Sequence, residues 1–321
     1  MLWGSPGIGK TETIKALQPD YGDMIIVHGL THDAVDVHGF PKVIEIESGD
    51  FITKFSRPGF WPMKERGILF LDEFCSAPGL VMSAFSQLLL NKRIGEHILP
   101  KDWHIIMASN RMTDRAIVHQ LPSNIANRII HLDYEVSLDD WTEVSMAAGK
   151  RAEVIAFVRF APDALHEFDP QGKKAKDKST EHAFPSPRSW WFVSDLLEQN
   201  PDSRVETDLV FGAVGKPRGS EFLAFLKMYR NAPSLDAILM NPEKAAVPKD
   251  LSVLYAVAVG LSRRADVTNI RNVIKYIDRI STDLGVMAVK LATERDPAIA
   301  KTKDFMAWAV SHRDDLFVSH L

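Results

Sequence analysis

A chain of 321 residues, 45% hydrophobic and 25% charged, has the composition of an ordinary globular protein and room for more than one domain core. Its formal net charge of -4 argues against broad, sequence-independent nucleic-acid binding, which calls for a basic face. Cys75 is the only cysteine, which excludes an internal disulfide and a cysteine-based zinc site and fits a reducing, cytoplasmic compartment; no apolar run approaches transmembrane length.

Taken in chain order, Thr11 to Leu17 reads as a short helix and Met24 to His28 as a strand. Val43 to Glu47 and Phe51 to Phe55 read as a β-hairpin around Ser48-Gly49-Asp50. Gly67 to Asp72 is an apolar strand followed by an amphipathic helix over Ala77 to Lys92. Lys92 to Ile94 and Glu96 to Leu99 suggest a second, shorter hairpin around Gly95. Trp103 to Ser109 and Ile129 to Tyr134 are two further strands. This alternation predicts an α/β fold, a parallel sheet with helices on both faces. From Ser137 onward helical periodicity takes over, with a lysine-rich polar stretch at Gln171 to Lys178 read as a solvated linker. Breaks fall near Pro217-Arg218-Gly219, Pro233, Pro242 and Pro248. The predicted division is a nucleotide-binding α/β domain over 1–135, an all-α domain over 136–200 and a helical C-terminal domain over 201–321.

Two motifs carry chemistry. Gly4-Ser5-Pro6-Gly7-Ile8-Gly9-Lys10-Thr11 fits the phosphate-loop pattern GxxxxGK[ST] at every fixed position. The glycines let successive backbone N–H groups turn toward an anion, and the helix that follows favours negative charge at its start. Lys10 is placed to reach the β- and γ-phosphates of ATP, and the Thr11 hydroxyl to coordinate Mg²⁺. The strand Gly67-Ile68-Leu69-Phe70-Leu71 delivers Asp72 and Glu73 at its C-terminal end, where ligands sit in open α/β sheets. Asp72 would share the Mg²⁺ with Thr11, and Glu73 would polarise an attacking water, which points to hydrolysis rather than binding alone. The scattered histidines offer no ligand set; His28 and His32 read as strand-end or loop residues. There is no HExxH and no GxSxG, so zinc-protease and α/β-hydrolase readings find no support.

With these motifs in this order, Gly4 to about Glu198 resembles the AAA+ ATPases, and within them the MoxR-like branch. The resemblance implies that Ile105-Ile106-Met107-Ala108-Ser109-Asn110 ends in a sensor residue, Asn110, which helps position the attacking water. It implies that Arg128, closing Leu121-Pro122-Ser123-Asn124-Ile125-Ala126-Asn127-Arg128, is an arginine finger supplied to a neighbouring subunit, with Arg111 and Arg115 as nearby substitutes. Phe184-Pro185-Ser186-Pro187-Arg188 resembles the start of the lid's sensor helix, with Ser186 as N-cap, Pro187 as first helical residue and Arg188 directed at the γ-phosphate. Trp190 and Trp191 are expected in the lid core. Both hairpins match insertions that this branch carries near a ring's central pore. Phe51 and Phe55 could touch a substrate there, or pack the hairpin onto its domain. The implied function is ATP hydrolysis by a homo-oligomeric ring, a hexamer in this branch, that remodels a partner protein, often one with a von Willebrand A-type domain.

A nucleic-acid motor shares every core motif but calls for basic residues at the pore, where the first hairpin offers Glu45 and Glu47 beside Lys42 and Lys54. A nucleotide kinase or non-hydrolysing switch shares only the phosphate loop. Three residues precede that loop where the family has a full central strand. The expectation is therefore that the natural chain begins upstream of Met1, or that the chain as written binds nucleotide poorly.

Overall fold

In the computed structural model, residues 1–114, 118–168, 183–230 and 234–313 are described. They fall into two compact units, one ending at Glu135 and one starting at Val136. The predicted linker at Gln171 to Lys178, Arg115 and Pro233 lie outside the described residues.

The first unit runs β1 (Leu2–Trp3), α1 (Lys10–Ala16), α2 (Gln18–Tyr21), β2 (Asp23–His28), α3 (Ala34–His38), β3 (Pro41–Glu45), β4 (Phe51–Phe55), β5 (Arg66–Asp72), α4 (Gly79–Asn91), β6 (Arg93–Ile94), β7 (His97–Ile98), β8 (Asp102–Ser109), α5 (Ser123–Ala126) and β9 (Leu132–Asp133). Five of these strands form one sheet in the order β2-β5-β8-β1-β9, and every pairing in it is parallel. This is the α/β P-loop fold expected from the alternation of elements.

Strand β5 shows why the sheet must be covered twice. Leu69 and Leu71 enter one core with Val27, Phe74, Phe85, Leu88 and Met107, while Ile68 and Phe70 enter another with Ile14 and Ala108. A strand buried on both faces has no use for alternating polarity, so it reads as a continuous apolar run. Gly67 opens it because a Cβ there would lie 2.4 Å from the Asp23 carbonyl oxygen and 2.9 Å from the Trp103 ring.

Two differences from the sequence reading have local causes. The expected strand Ile129 to Tyr134 is a ladder of only two residues, because β9 pairs solely with β1, Leu2 opposite Leu132 and Trp3 opposite Asp133. The first hairpin is shifted by two residues: β3 is Pro41–Glu45, and Ile46 and Glu47 belong to the turn. Ile46 N–H donates to the Asp50 carbonyl at 2.9 Å and Gly49 N–H to the Ile46 carbonyl at 2.8 Å, with Gly49 at φ 84°. That left-handed residue closes a wider turn than the Val-Ile-Glu-Ile-Glu alternation suggested. The second hairpin forms around Gly95 as expected, and His97 lies 3.2 Å from the Phe55 carbonyl, joining it to the foot of the first.

The described part of the second unit is helical: α6 (Leu138–Ala147), α7 (Ala152–Phe160), α8 (Pro187–Glu198), α9 (Ser203–Val214), α10 (Lys216–Arg230), α11 (Leu235–Met240), α12 (Leu251–Arg264), α13 (Ile270–Ile277), α14 (Thr282–Arg295) and α15 (Lys303–Ser311). Phe157, Trp190 and Phe222 form the aromatic centre of one core, with ring centroids 5.3 to 5.5 Å apart. Trp190 is fully buried and donates to the Ala164 carbonyl at 2.6 Å, whereas Trp191 lies at the core's margin and donates to Ser145 Oγ at 2.7 Å. The break expected around Pro217 to Gly219 falls earlier: Gly215, at φ 79°, ends α9, and Pro217 sits in the first turn of α10. No described helix is long and apolar enough to cross a membrane.

Candidate functional site

The phosphate loop leaves β1 at Gly4, whose N–H donates to the Ser109 carbonyl on β8 at 3.3 Å. Gly7 and Gly9 adopt φ values of 79° and 100°, a region that residues with a Cβ rarely adopt, and Gly9 then caps α1. The curl returns Lys10 beneath its own loop. Lys10 Nζ is largely buried and donates to the carbonyls of Gly4 at 2.6 Å and Ser5 at 2.9 Å, and to Asn110 Oδ1 at 3.1 Å. Ser5, Pro6 and Ile8 complete the loop, with Ile8 turned inward and buried.

Parallel pairing brings the other groups to the same edge, because every strand of the sheet ends its run there. Asp72 closes β5, and its Oδ2 accepts from Thr11 Oγ1 at 2.8 Å. Its Oδ1 accepts from the Glu73 N–H at 3.0 Å. Asn110 follows the last residue of β8, the strand between β1 and β5, and its amide oxygen accepts from Lys10. Lys10 is thus bonded to Asn110, and Thr11, the next residue, to Asp72, which sets two hydrogen-bonded pairs at one edge of the sheet. Thr11 and Asp72 present hard oxygen donors side by side, a set that suits Mg²⁺ shared with phosphate oxygens.

Glu73 differs from its neighbour. Asp72 is buried, while Glu73 is exposed, with its backbone in the left-handed region at φ 53°, ψ 35°. A non-glycine residue held there is strained by about 1–3 kcal/mol, and such strain gathers at functional sites. Beyond it, the Cys75 thiol is fully buried. Burial pushes its pKa up to about 11, against the opposite pull of the neighbouring Ser109 hydroxyl, so it offers no thiolate for chemistry.

The expected arginines fall in three situations. Arg128 lies just past α5 on the surface and ion-pairs with none of the described residues. Arg111 is occupied within the chain, its Nη2 lying 3.2 Å from Asp133 Oδ1, so it is a poor substitute for a finger. Arg188 belongs to the second unit, exposed in the first turn of α8. There Ser186 Oγ accepts from the Ser189 N–H at 3.1 Å and Pro187 takes the first helical position, as the sequence reading expected.

Two residues at this edge were read from sequence as strand ends with no role at the site. Tyr134 follows β9, where its N–H donates to the Trp3 carbonyl at 2.7 Å and its hydroxyl lies 2.6 Å from Thr13 Oγ1. His28 closes β2 in register with Asp72, its Nδ1 at 3.9 Å from Asp72 Oδ2, beyond hydrogen-bond reach. Each ends a strand assigned from sequence, and the ends of parallel strands are where a search for further site residues belongs. The carbonyl of Tyr134 also fixes the identity of residue 4. A Cβ on Gly4 would come within 2.7 Å of that oxygen and 2.6 Å of Ile8 Cδ1. Gly4→Ala is therefore expected to lower the melting temperature, at an overpacking cost of about 1–3 kcal/mol, and to weaken ATP binding. Calorimetric titration beside thermal melting reads both, and wild-type values for the variant would contradict the packing argument.

No protein-family model and no curated protein matches the chain. Among solved structures, a Cytophaga hutchinsonii protein provisionally described as an ATPase is similar at 13% identity and TM-score 0.32, over 91% of this chain and 74% of its own. NtrX from Brucella abortus is similar at 15% identity and TM-score 0.31, over 70% of this chain and 61% of its own. A point variant of RuvB from Thermotoga maritima is similar at 14% identity and TM-score 0.33, over 91% of this chain and 75% of its own. Likeness at such TM-scores carries no functional weight, and the site is read from its own residues.

Proposed function

We propose that this chain is an ATP-hydrolysing ring ATPase of the AAA+ type, MoxR-like, which uses turnover to remodel or activate a partner protein. One observation carries the reading: at the ends of three adjoining strands Lys10 is hydrogen-bonded to Asn110 and the next residue, Thr11, to Asp72, with Glu73 exposed next to Asp72. A switch that only holds nucleotide needs Lys10, Thr11 and Asp72. An amide on the intervening strand and a second, exposed carboxylate add what hydrolysis requires, one group to orient a water and one to polarise it.

The roles follow from what each side chain can do. Gly4 to Gly9 cradle the phosphates with backbone N–H groups, and Lys10 supplies positive charge to the β- and γ-phosphates. Thr11 and Asp72 would hold a Mg²⁺, which shields the phosphate charge. Glu73 takes the water's proton, and Asn110 fixes the water's direction. An exposed Arg128 without an acidic partner among the described residues suits a finger given to the next subunit of a ring, for which a hexamer is the proposed number. The all-α segment 136–200 is proposed as the lid, with 201–321 as a helical addition to it. A partner with a von Willebrand A-type domain and a cytoplasmic setting belong to the same proposal.

The test measures ATP hydrolysis with and without single-stranded DNA, together with sizing in the presence and absence of ATP. The expected result is magnesium-dependent turnover, unstimulated by DNA, and a larger assembly with ATP. Strong stimulation by DNA would favour a nucleic-acid motor, and tight binding without turnover would favour a switch.

A further inference from the structure

The register of the first hairpin sorts its side chains in a way that the order of residues hides. Residues directly opposite in an antiparallel pair project from the same face, as do residues two apart on one strand. Pairing of Lys42 with Lys54 and of Ile44 with Ile52 therefore puts all four on one face of the β3–β4 ribbon. Pro41, Val43, Glu45, Phe51, Thr53 and Phe55 occupy the other. The ribbon has only two strands, and both lysines are exposed.

Like charges placed directly across a strand pair repel, and a nearby carboxylate would relieve the repulsion. Here no ion pair among the described residues supplies that relief. Neither lysine ion-pairs with any described residue. Glu45 points to the opposite face, and Asp50, in the turn, accepts from Ser48 Oγ at 2.8 Å. What remains is a small basic surface with an aliphatic row beside it, held on a marginal two-stranded element.

We infer that this lysine–isoleucine face receives an acidic polypeptide segment carrying aliphatic side chains, supplied by the protein on which the ATPase acts. The inference deepens the proposed remodelling function and rests on it for that last clause alone. Carboxylates would meet Lys42 and Lys54 while aliphatic groups cover Ile44 and Ile52. A single-stranded nucleic acid fits less well. Such ligands stack bases on aromatic rings placed among the cations, and here Phe51 and Phe55 lie on the face that carries Glu45, away from both lysines.

The experiment uses the full chain without nucleotide and three dye-labelled probes followed by fluorescence anisotropy. The probes are a short peptide rich in Glu with interspersed Leu, its Lys-for-Glu counterpart, and an oligothymidylate of the same net charge as the acidic peptide. The acidic peptide is expected to bind most tightly and to weaken as salt is raised. Lys42→Gln/Lys54→Gln should weaken it by roughly tenfold, the ordinary worth of two exposed ion pairs. Lys42→Arg/Lys54→Arg should restore it, which separates charge from any change in hairpin folding. No binding to the wild type, equal binding to the glutamine variant, or tighter binding of the oligothymidylate each overturns the inference. Because no ATP is present, a chain found unable to hydrolyse ATP would sink the proposed function and leave this result standing.

Discussion

Glu73→Gln is expected to bind ATP as tightly as the wild type and to turn it over ~10²–10⁴-fold more slowly, the usual worth of a positioned general base. Lys10→Ala should fail at the earlier step. Lys10 Nζ lies among the Gly4 and Ser5 carbonyls and Asn110 Oδ1, so its charge is already aimed into the loop before any phosphate contact is made. Removing it deletes a charge-assisted contact worth about 1.5–3 kcal/mol, roughly ten- to a hundredfold in affinity, and leaves two carbonyls without their donor. Glu73, by contrast, is exposed, and its carboxylate ion-pairs with none of the described residues. Glutamine keeps its size and loses only the ability to take a proton. A fluorescent ATP analogue titrated into each variant, beside phosphate-release rates, separates the two effects. Wild-type turnover by Glu73→Gln would show that the water-activating carboxylate lies elsewhere.

Features whose whole signal lies in one element were legible in the sequence. The phosphate loop, the acid-ended strand, both hairpins and the Ser186–Pro187 helix start are each written in contiguous residues. Strand β5 could be identified because burial on both faces demands an unbroken apolar run. What was not legible depends on pairing. Tyr134 reaches Thr13 only because β9 lies beside β1, and His28 lies opposite Asp72 only because β2 runs parallel to β5 in that register. The hairpin illustrates the same limit over a short range. Its two strands were found, but moving the first by two residues was enough to change the turn, since Ile46 and Glu47 fit a ladder or a loop equally well by alternation. Their assignment was decided by Gly49 in a left-handed conformation, which sequence alone marks as permitted and not as required. The difference between Arg111 and Arg128 was likewise invisible, because Asp133, the acid that occupies Arg111, is more than twenty positions away.

That difference sets up the second large effect. Arg128→Ala is expected to leave ATP binding near the wild-type value and to lower hydrolysis by ~10³-fold or more, as for other arginines that meet a phosphoryl group only in the transition state. An exposed arginine bound to no described acid contributes little to its own fold, so its removal should scarcely move the melting temperature. The same loss of rate in the same chain could come from a residue acting in its own site, and a mixing experiment distinguishes the two. Subunits carrying Arg128→Ala keep Glu73, and subunits carrying Glu73→Gln keep Arg128. If the finger is given across an interface, some interfaces in a mixed ring combine an intact Glu73 site with an intact Arg128 from the neighbour. Activity should then rise above that of either variant alone and vary with the mixing ratio. If Arg128 served its own subunit, every site in the mixture would still lack one group and the activity would stay flat. Mixed assembly is verified first by pulling down one tagged variant and detecting the other. Flat activity in rings shown to be mixed would remove Arg128 as a shared residue, while leaving the assignments of Lys10 and Glu73 to their own variants.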